Sequence, residues 1–364
     1  MDNLKDKLVA IEPREVAGSS TSNRYDYQQN YGIYCLLELH SEENDYRILF
    51  DYHDDIVVLF PAEDPKDLHF YQIKTNETKN WTIGELLKKP KTKITSLSKL
   101  SKLFYDFTKF PEYTQSLNFV SNARFNVNLV SGKGLVSDII VLSDLEDKEL
   151  CKIKDALKKE LGLSVDQKLL EKSFLKVSFL NIDEHETQIL GKLQKFLSER
   201  FGQDDLPGQS LLKALKGYVR GKQNNESKCT SFDELCKKKS ICYSEFERML
   251  KAAIFKKKFQ DIWLEISLHL KGENIHYLKI NNYKSKCEDY LVERINPLNE
   301  IIQEGREKFN EYLLDESNHY QTLTETINNV KCQFPDISDK IVEIKDEIFL
   351  EAIILVEIFN NEKR

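Results

Sequence analysis

The sequence predicts an α/β fold, a mixed-sheet sandwich, followed by a mainly α-helical C-terminal domain. Three observations predict it: a helical apolar pattern over residues 24–41 runs into three short β-forming runs; a second helical pattern and a further strand complete the series by Asn122; and beyond residue 221 the apolar spacing reads as helix to the end. At 364 residues the chain exceeds one typical core. We expect two domains, residues 1–220 with a core at about 24–123, and residues 221–364.

Residues 11–23 hold Pro13, Gly18 and a Ser/Thr run, a loop composition ending in Asn23, which suits a helix cap. From Arg24 to about Ser41, Tyr27, Tyr31, Tyr34, Cys35, Leu36 and Leu39 fall mostly on one helical face, ringed by Arg24, Asp26, Gln29 and Glu38. Tyr46–Tyr52, Ile56–Phe60 and Leu68–Thr75 are rich in β-formers, broken by His53-Asp54-Asp55 and by a Pro-containing acidic turn at 61–65, so they form a three-stranded meander. Ile94, Leu97, Leu100, Leu103, Phe104 and Phe107 repeat at helical spacing until Pro111, and Leu117–Asn122 is a strand. Residues 145–220 are mainly helical, with a β-like run at Phe174–Leu180 and a break at Asp204–Gly208; Gly221–Glu226 has linker composition. Helices then continue with breaks near Asn296-Pro297 and Phe334-Pro335, and the last is apolar on two faces.

Hydrophobic residues at 40% and charged residues at 31% describe a soluble globular protein, and no uncharged apolar stretch is long enough to span a bilayer. The first residues carry both signs of charge and no apolar run, unlike a secretory signal peptide, so a cytoplasmic location is expected. Seven cysteines at irregular spacing, with no CxxC pair among Cys229, Cys236 and Cys242, imply reduced thiols rather than zinc. The histidines make no HExxH pattern, no GxSxG or P-loop is present, and His53 reads as a polar surface residue of a turn.

Chemistry concentrates in the meander. Asp55 opens the second strand, and Gln72-Ile73-Lys74 lies on the third; alternation puts Gln72 and Lys74 on one face, which Asp55 can share, with Ile73 turned to the core. Asp and Gln are hard oxygen donors for a divalent cation, and Lys orients or activates a water. Glu38, near the end of the first helix, is a further candidate ligand or water-positioning group. Asp51 and Asp54 compete with Asp55, because a one-residue slip exchanges faces. The set suits metal-assisted phosphodiester hydrolysis with Mg²⁺ or Mn²⁺.

Helix with Glu38, strand, strand opening with Asp55, strand with Gln72-Ile73-Lys74, helix, strand resembles the core of the restriction-endonuclease-like PD-(D/E)xK nucleases, with Gln72 where Asp or Glu is commoner. Pro13-Arg14-Glu15, Gly18-Ser19, Arg24-Tyr25-Asp26-Tyr27-Gln28, the run Phe50–Leu59, Phe70–Thr75 and Phe119–Ala123 resemble the Cap-four family of double-stranded DNA endonucleases from bacterial anti-phage defence. The resemblance spans roughly residues 10–220 and is most specific at 24–76. It implies metal ligation by Asp55 and Gln72, with Glu38 as a further candidate, and Lys74 as the catalytic lysine.

The formal net charge of -7 argues against a nucleic-acid partner only as a sum. Between Gln72 and Phe110 nine lysines, among them Lys79, Lys88, Lys89, Lys91 and Lys93, outnumber Glu77, Glu85 and Asp106, and suit phosphate contacts that position a duplex without reading its sequence. Lys237–Lys239 and Lys256–Lys258 either extend that patch or coat a helix. Residues 333–364 are acidic and apolar, a composition fit for protein contacts.

A nuclease domain with a short helical C-terminal part is similar to the nuclease subunit of Lamassu defence complexes. That resemblance implies an SMC-type ATPase and a small accessory subunit as partners, inhibition within the complex, and activation by self-assembly, with the C-terminal helices as docking or oligomerisation surface. Residues 221–364 are too short for the SAVED sensor that follows such nucleases in cyclic-oligonucleotide systems. An effector of such a system without SAVED and a non-catalytic DNA-binding scaffold are the alternatives.

Overall fold

The computed structural model describes residues 3–12, 22–76, 79–90, 97–202, 208–295, 299–315, 318 and 321–361. Pro13, Arg14, Glu15, Gly18, Ser19, Glu77, Lys91, Lys93, Ile94, Asp204 to Pro207, Asn296, Pro297 and the side chains of Asn23, Arg24 and Lys256–Lys258 lie outside the described residues.

The chain divides into two compact units, Met1–Phe196 with Val219–Phe246, and Leu197–Tyr218 with Glu247–Arg364. The first contains α1 (Leu4–Ala10), α2 (Ser22–Glu42), β1 (Arg47–Tyr52), β2 (Asp54–Phe60), β3 (Asp67–Ile73), α3 (Ile83–Leu86), α4 (Lys99–Lys109) and β4 (Thr114–Ser121). It continues through β5 (Asn128–Leu129), β6 (Gly132–Lys133), β7 (Ile139–Val141), α5 (Asp147–Leu161), α6 (Gln167–Glu171) and β8 (Ser173–Val177). The helices α7 (His185–Phe201) and α8 (Gly208–Gln223) follow, then α9 (Phe232–Lys239), β9 (Ser240–Cys242) and α10 (Tyr243–Gly272).

The expected series from first helix to fourth strand is present. A seven-stranded mixed sheet runs β7-β8-β4-β3-β2-β1-β9, with β3, β4 and β8 parallel and the other pairs antiparallel. One sheet member departs from expectation. The β9 strand falls where the sequence reads as helix; it pairs Ser240 to Leu49 and Cys242 to Arg47, covering the β1 edge. Arg47 bolts this edge, donating to Ala62 O at 3.0 Å and to Ser240 Oγ at 2.9 Å. The expected linker is also absent as such, since α8 runs through Gly221 to Gln223.

Alternation decides which residues look which way. Leu49, Val57, Leu59, Leu68 and Phe70 join Leu100, Leu103 and Phe104 of α4 in one core, while Phe50 and Ile56 meet α2. Gly32 permits that approach: a Cβ there would lie 2.7 Å from the Phe50 ring. Ser98 caps α4 by accepting the Ser101 N–H, and Thr82 and Glu85 form a capping box on α3.

The second unit holds most of α8, the rest of α10, α11 (Tyr277–Ile295), α12 (Glu300–Leu313), α13 (Leu323–Gln333), α14 (Pro335–Ile344) and α15 (Glu347–Asn361). The last helix packs within its own unit, one of the two readings that its apolar faces allow. Glu351–Phe359 are buried, with Ile353, Ile354 and Leu355 among Tyr283, Cys287, Tyr290 and Phe309. Its acids answer cations and hydroxyls of the same unit: Glu351 accepts from Tyr283 Oη at 2.7 Å, and fully buried Glu357 from Tyr290 Oη at 2.6 Å and Asn310 Nδ2 at 3.1 Å, with Arg294 Nε 3.4 Å away. Among the described residues no helix is long and apolar enough to cross a membrane.

Candidate active site

The β2–β3 ladder sets Ile56 opposite Tyr71, which makes Asp55 and Gln72 neighbours across it, on the α4 face. Asp55 Oδ2 accepts two bonds, from the Ile73 N–H at 2.6 Å and from Lys74 Nζ at 3.0 Å. Its other oxygen has no hydrogen-bond partner among the described residues. Lys74 stands one residue beyond β3, yet its N–H still bonds Val120 O on β4 at 2.9 Å, so the lysine is held where the ladder ends.

Gln72 is fully buried rather than on an open face, and neither its Oε1 nor its Nε2 has a hydrogen-bond partner among the described residues. Two stranded amide atoms cost about 1–3 kcal/mol each. Burial of an unsatisfied amide next to a carboxylate oxygen with no bond fits a hard divalent cation, which takes oxygen donors of this kind. Among the described residues no group of three or more His, Cys, Asp or Glu is placed to hold a metal; the donors this cluster offers are the Asp55 carboxylate and the Gln72 amide.

The flank of the site is basic. Lys99 Nζ lies 5.5 Å from the centroid of the Trp81 ring and 3.5 Å from Glu85 O. Partial burial, with the charges of Lys88, Lys102 and Lys74 nearby, holds its ammonium below the ordinary lysine range. Lys79, Lys88 and Lys89 are exposed, and Lys89 is 3.7 Å from Glu160. Trp81 is buried and donates from Nε1 to Ser121 Oγ at 2.7 Å, so it shapes the flank from beneath.

Glu38 is not brought to this cluster. Gln28 marks where α2 meets the strand ends, donating to Ile73 O at 3.3 Å; Glu38 is ten residues further on, about 15 Å along the axis. Its carboxylate is taken by Lys192 at 2.7 Å and by Tyr34 Oη at 3.1 Å. Asp54 Oδ1 accepts the Asp55 N–H at 2.9 Å, and the backbone carbonyl of Asp51, not its carboxylate, accepts from Lys239 Nζ at 3.3 Å.

His53 is buried, not a surface turn residue. Its Nε2 donates to Leu8 O at 3.0 Å, and burial pushes its pKa down to about 4. Sequence reading missed this and Lys239. The signals available were the N-terminal amphipathic turn that delivers Leu8 and the Ser-Ile-Cys run after three lysines.

A family model described as Cap4, dsDNA endonuclease domain, matches residues 16–222. The chain belongs to this endonuclease family. The Lamassu protein LmuA of Bacillus cereus is 23% identical over 371 residues, covering 98% of this chain and 94% of that protein. A solved Cap4 SAVED/CARF-domain containing receptor of Acinetobacter baumannii, with the cyclic trinucleotide 2'3'3'-cAAA, aligns over 68% of this chain at 14% identity with a TM-score of 0.37; this chain covers 48% of it. In this Cap4-family chain the matched span takes in the whole Asp55, Gln72 and Lys74 cluster and its lysine flank.

Proposed function

We propose that the protein is a metal-dependent double-stranded DNA endonuclease that acts as the effector of a bacterial defence complex, with Asp55 and Gln72 as ligands of Mg²⁺ or Mn²⁺ and Lys74 as the catalytic lysine. The observation that carries this reading is the single Asp55 oxygen shared by the Ile73 amide and the Lys74 ammonium, beside an amide with no partner of its own.

The cation would neutralise charge on the scissile phosphate and acidify the attacking water. The chain's own groups do the rest. Asp55 and the β3 backbone hold Lys74 at the ladder's end, where its ammonium can orient water and meet a phosphate oxygen. Gln72 in place of an acid leaves the site one negative charge poorer than the commoner pattern, which eases approach of a polyanion. Lys99, Lys88 and Lys102 provide phosphate contacts that fix the duplex without reading its bases.

Similarity to a Lamassu protein across nearly the whole chain supports service in a multi-subunit complex, with an SMC-like ATPase and a small accessory subunit as partners. A nuclease blind to sequence endangers its own chromosome, so partners hold it inactive and self-assembly releases it. The test is supercoiled plasmid with Mg²⁺ or Mn²⁺ across a series of protein concentrations. Cutting that EDTA abolishes and that rises more steeply than first order in protein is expected. Cutting in EDTA, or a rate per molecule independent of concentration, contradicts the metal and assembly elements respectively.

A further inference from the structure

The structure assigns to Lys239 a positioning role: its ammonium holds the β1–β2 turn in the conformation that aims Asp55 at Gln72 and Lys74. This rests on the reading of Asp55 given above and extends it to a residue far away in sequence.

The turn is as short as a hairpin allows. Tyr52 pairs with Asp54, leaving His53 alone between the strands. Asp51 and His53 take φ of +50° and +67°, the left-handed region that L-residues avoid. Such a conformation persists only where the surroundings over-determine it. Three side chains do so. Tyr52 Oη and His53 Nε2 both donate to Leu8 O, at 3.3 and 3.0 Å, and Lys239 Nζ donates to Asp51 O at 3.3 Å and to Gln223 O at 3.1 Å.

The lysine is in an expensive place. Lys239 is buried at the end of α9, where loss of water disfavours its charge and the nearby Asp51 carboxylate favours it. Burying a cation to satisfy two carbonyls is costly where an apolar residue would pack, unless the carbonyl it holds must be held. What lies downstream of Asp51 O is the site: four residues on, Asp55 receives the Ile73 N–H and the Lys74 ammonium. If Asp51 or His53 relaxed to right-handed φ, the register of β2 would slip, and a slip of one residue turns Asp55 to the α2 face.

The experiment compares full-length wild type, Lys239→Met, Lys239→Gln, Lys239→Arg and Asp55→Asn. In Lys239→Met we expect plasmid cleavage slowed by roughly ten- to a hundredfold, with duplex affinity in EDTA unchanged. Amide exchange across residues 50–56 is expected to rise about tenfold while residues 114–121 keep their protection. Lys239→Arg, which still donates to both carbonyls, restores cleavage and protection, and Lys239→Gln, with one donor group, falls between. The Gln variant and the exchange pattern decide the matter if the Met variant does not fold. Wild-type cleavage and wild-type exchange at 50–56 in Lys239→Met overturn the proposal. So does loss of protection spread evenly through the unit, which a merely structural lysine would give. Asp55→Asn separates the two readings: if it cuts like wild type, the site assignment fails, whereas if it is dead and Lys239→Met is not, only the positioning role fails.

Discussion

Lys74 Nζ lies 3.0 Å from Asp55 Oδ2, the same oxygen that accepts the Ile73 N–H at 2.6 Å. One carboxylate oxygen thus ties the β2 strand to the β3 backbone and also fixes the lysine, which frees the other oxygen for a ligand. Structure and chemistry are separable here by substitution. Asp55→Asn keeps an acceptor for Ile73 N–H and loses the charge; Asp55→Ala loses both. We expect both variants to be inactive, with Ala less stable than Asn by about 1–3 kcal/mol in urea unfolding. Equal stability of the two would mean that the Ile73 bond contributes nothing.

Gln72 carries the opposite signature, an amide that stability does not favour. Replacing it by Leu removes two buried polar atoms that have no partner. Gln72→Leu should raise stability by about 1–2 kcal/mol and abolish cleavage. Gln72→Glu should tighten Mn²⁺ binding measured by calorimetry. A destabilised Leu variant that still cuts would contradict both halves of this.

The buried His53 makes stability depend on pH. Its folded pKa, about 4, lies below the ordinary histidine value of 6.5, so the unfolded chain binds the proton more readily between those limits. Stability is then full above pH 6.5, falls by about 3 kcal/mol on acidification to pH 4, and the contribution is flat below. His53→Asn tolerates the left-handed φ and does not titrate, so its unfolding free energy should lack this fall. An identical pH profile in the variant would show that His53 is not the source.

Lys99 sits over Trp81 with its charge pressed by Lys88, Lys102 and Lys74. Lys99→Met retains the stem on the ring and removes the charge. Duplex binding in EDTA should weaken equally for different sequences, and the slope of log affinity against log salt should fall by about 1. An unchanged slope would remove Lys99 from the phosphate contacts.

The clustering of Asp55, Gln72 and Lys74 was legible because strand alternation is strict. Asp55 opening a β-forming run and Gln72-Ile73-Lys74 on the next share a face by parity alone, and the ladder register agrees. Glu38 fails for a reason parity cannot reach: its helical face is clear in the sequence, but position along the axis puts it about 15 Å past the Gln28 contact with Ile73. Three-residue β9 was invisible because it follows Lys237–Lys239 and is made a strand only by pairing with β1, a contact nearly two hundred residues distant. Burial of His53 and Lys239 was hidden likewise, since α1 and α9 arrive from far along the chain. The apolar last helix reads equally well as interface or as core, and only packing against Tyr283, Tyr290 and Phe309 distinguishes them.

The central claim is that Asp55 and Lys74 form the cleavage centre, and its most direct test is single-turnover cleavage of supercoiled plasmid in Mg²⁺ by wild type, Asp55→Asn and Lys74→Met. Duplex affinity and urea stability are measured on the same preparations. Loss of cleavage in both variants, by about a thousandfold or more, is expected, with affinity and folding retained. Cleavage by either variant at the wild-type rate would contradict it.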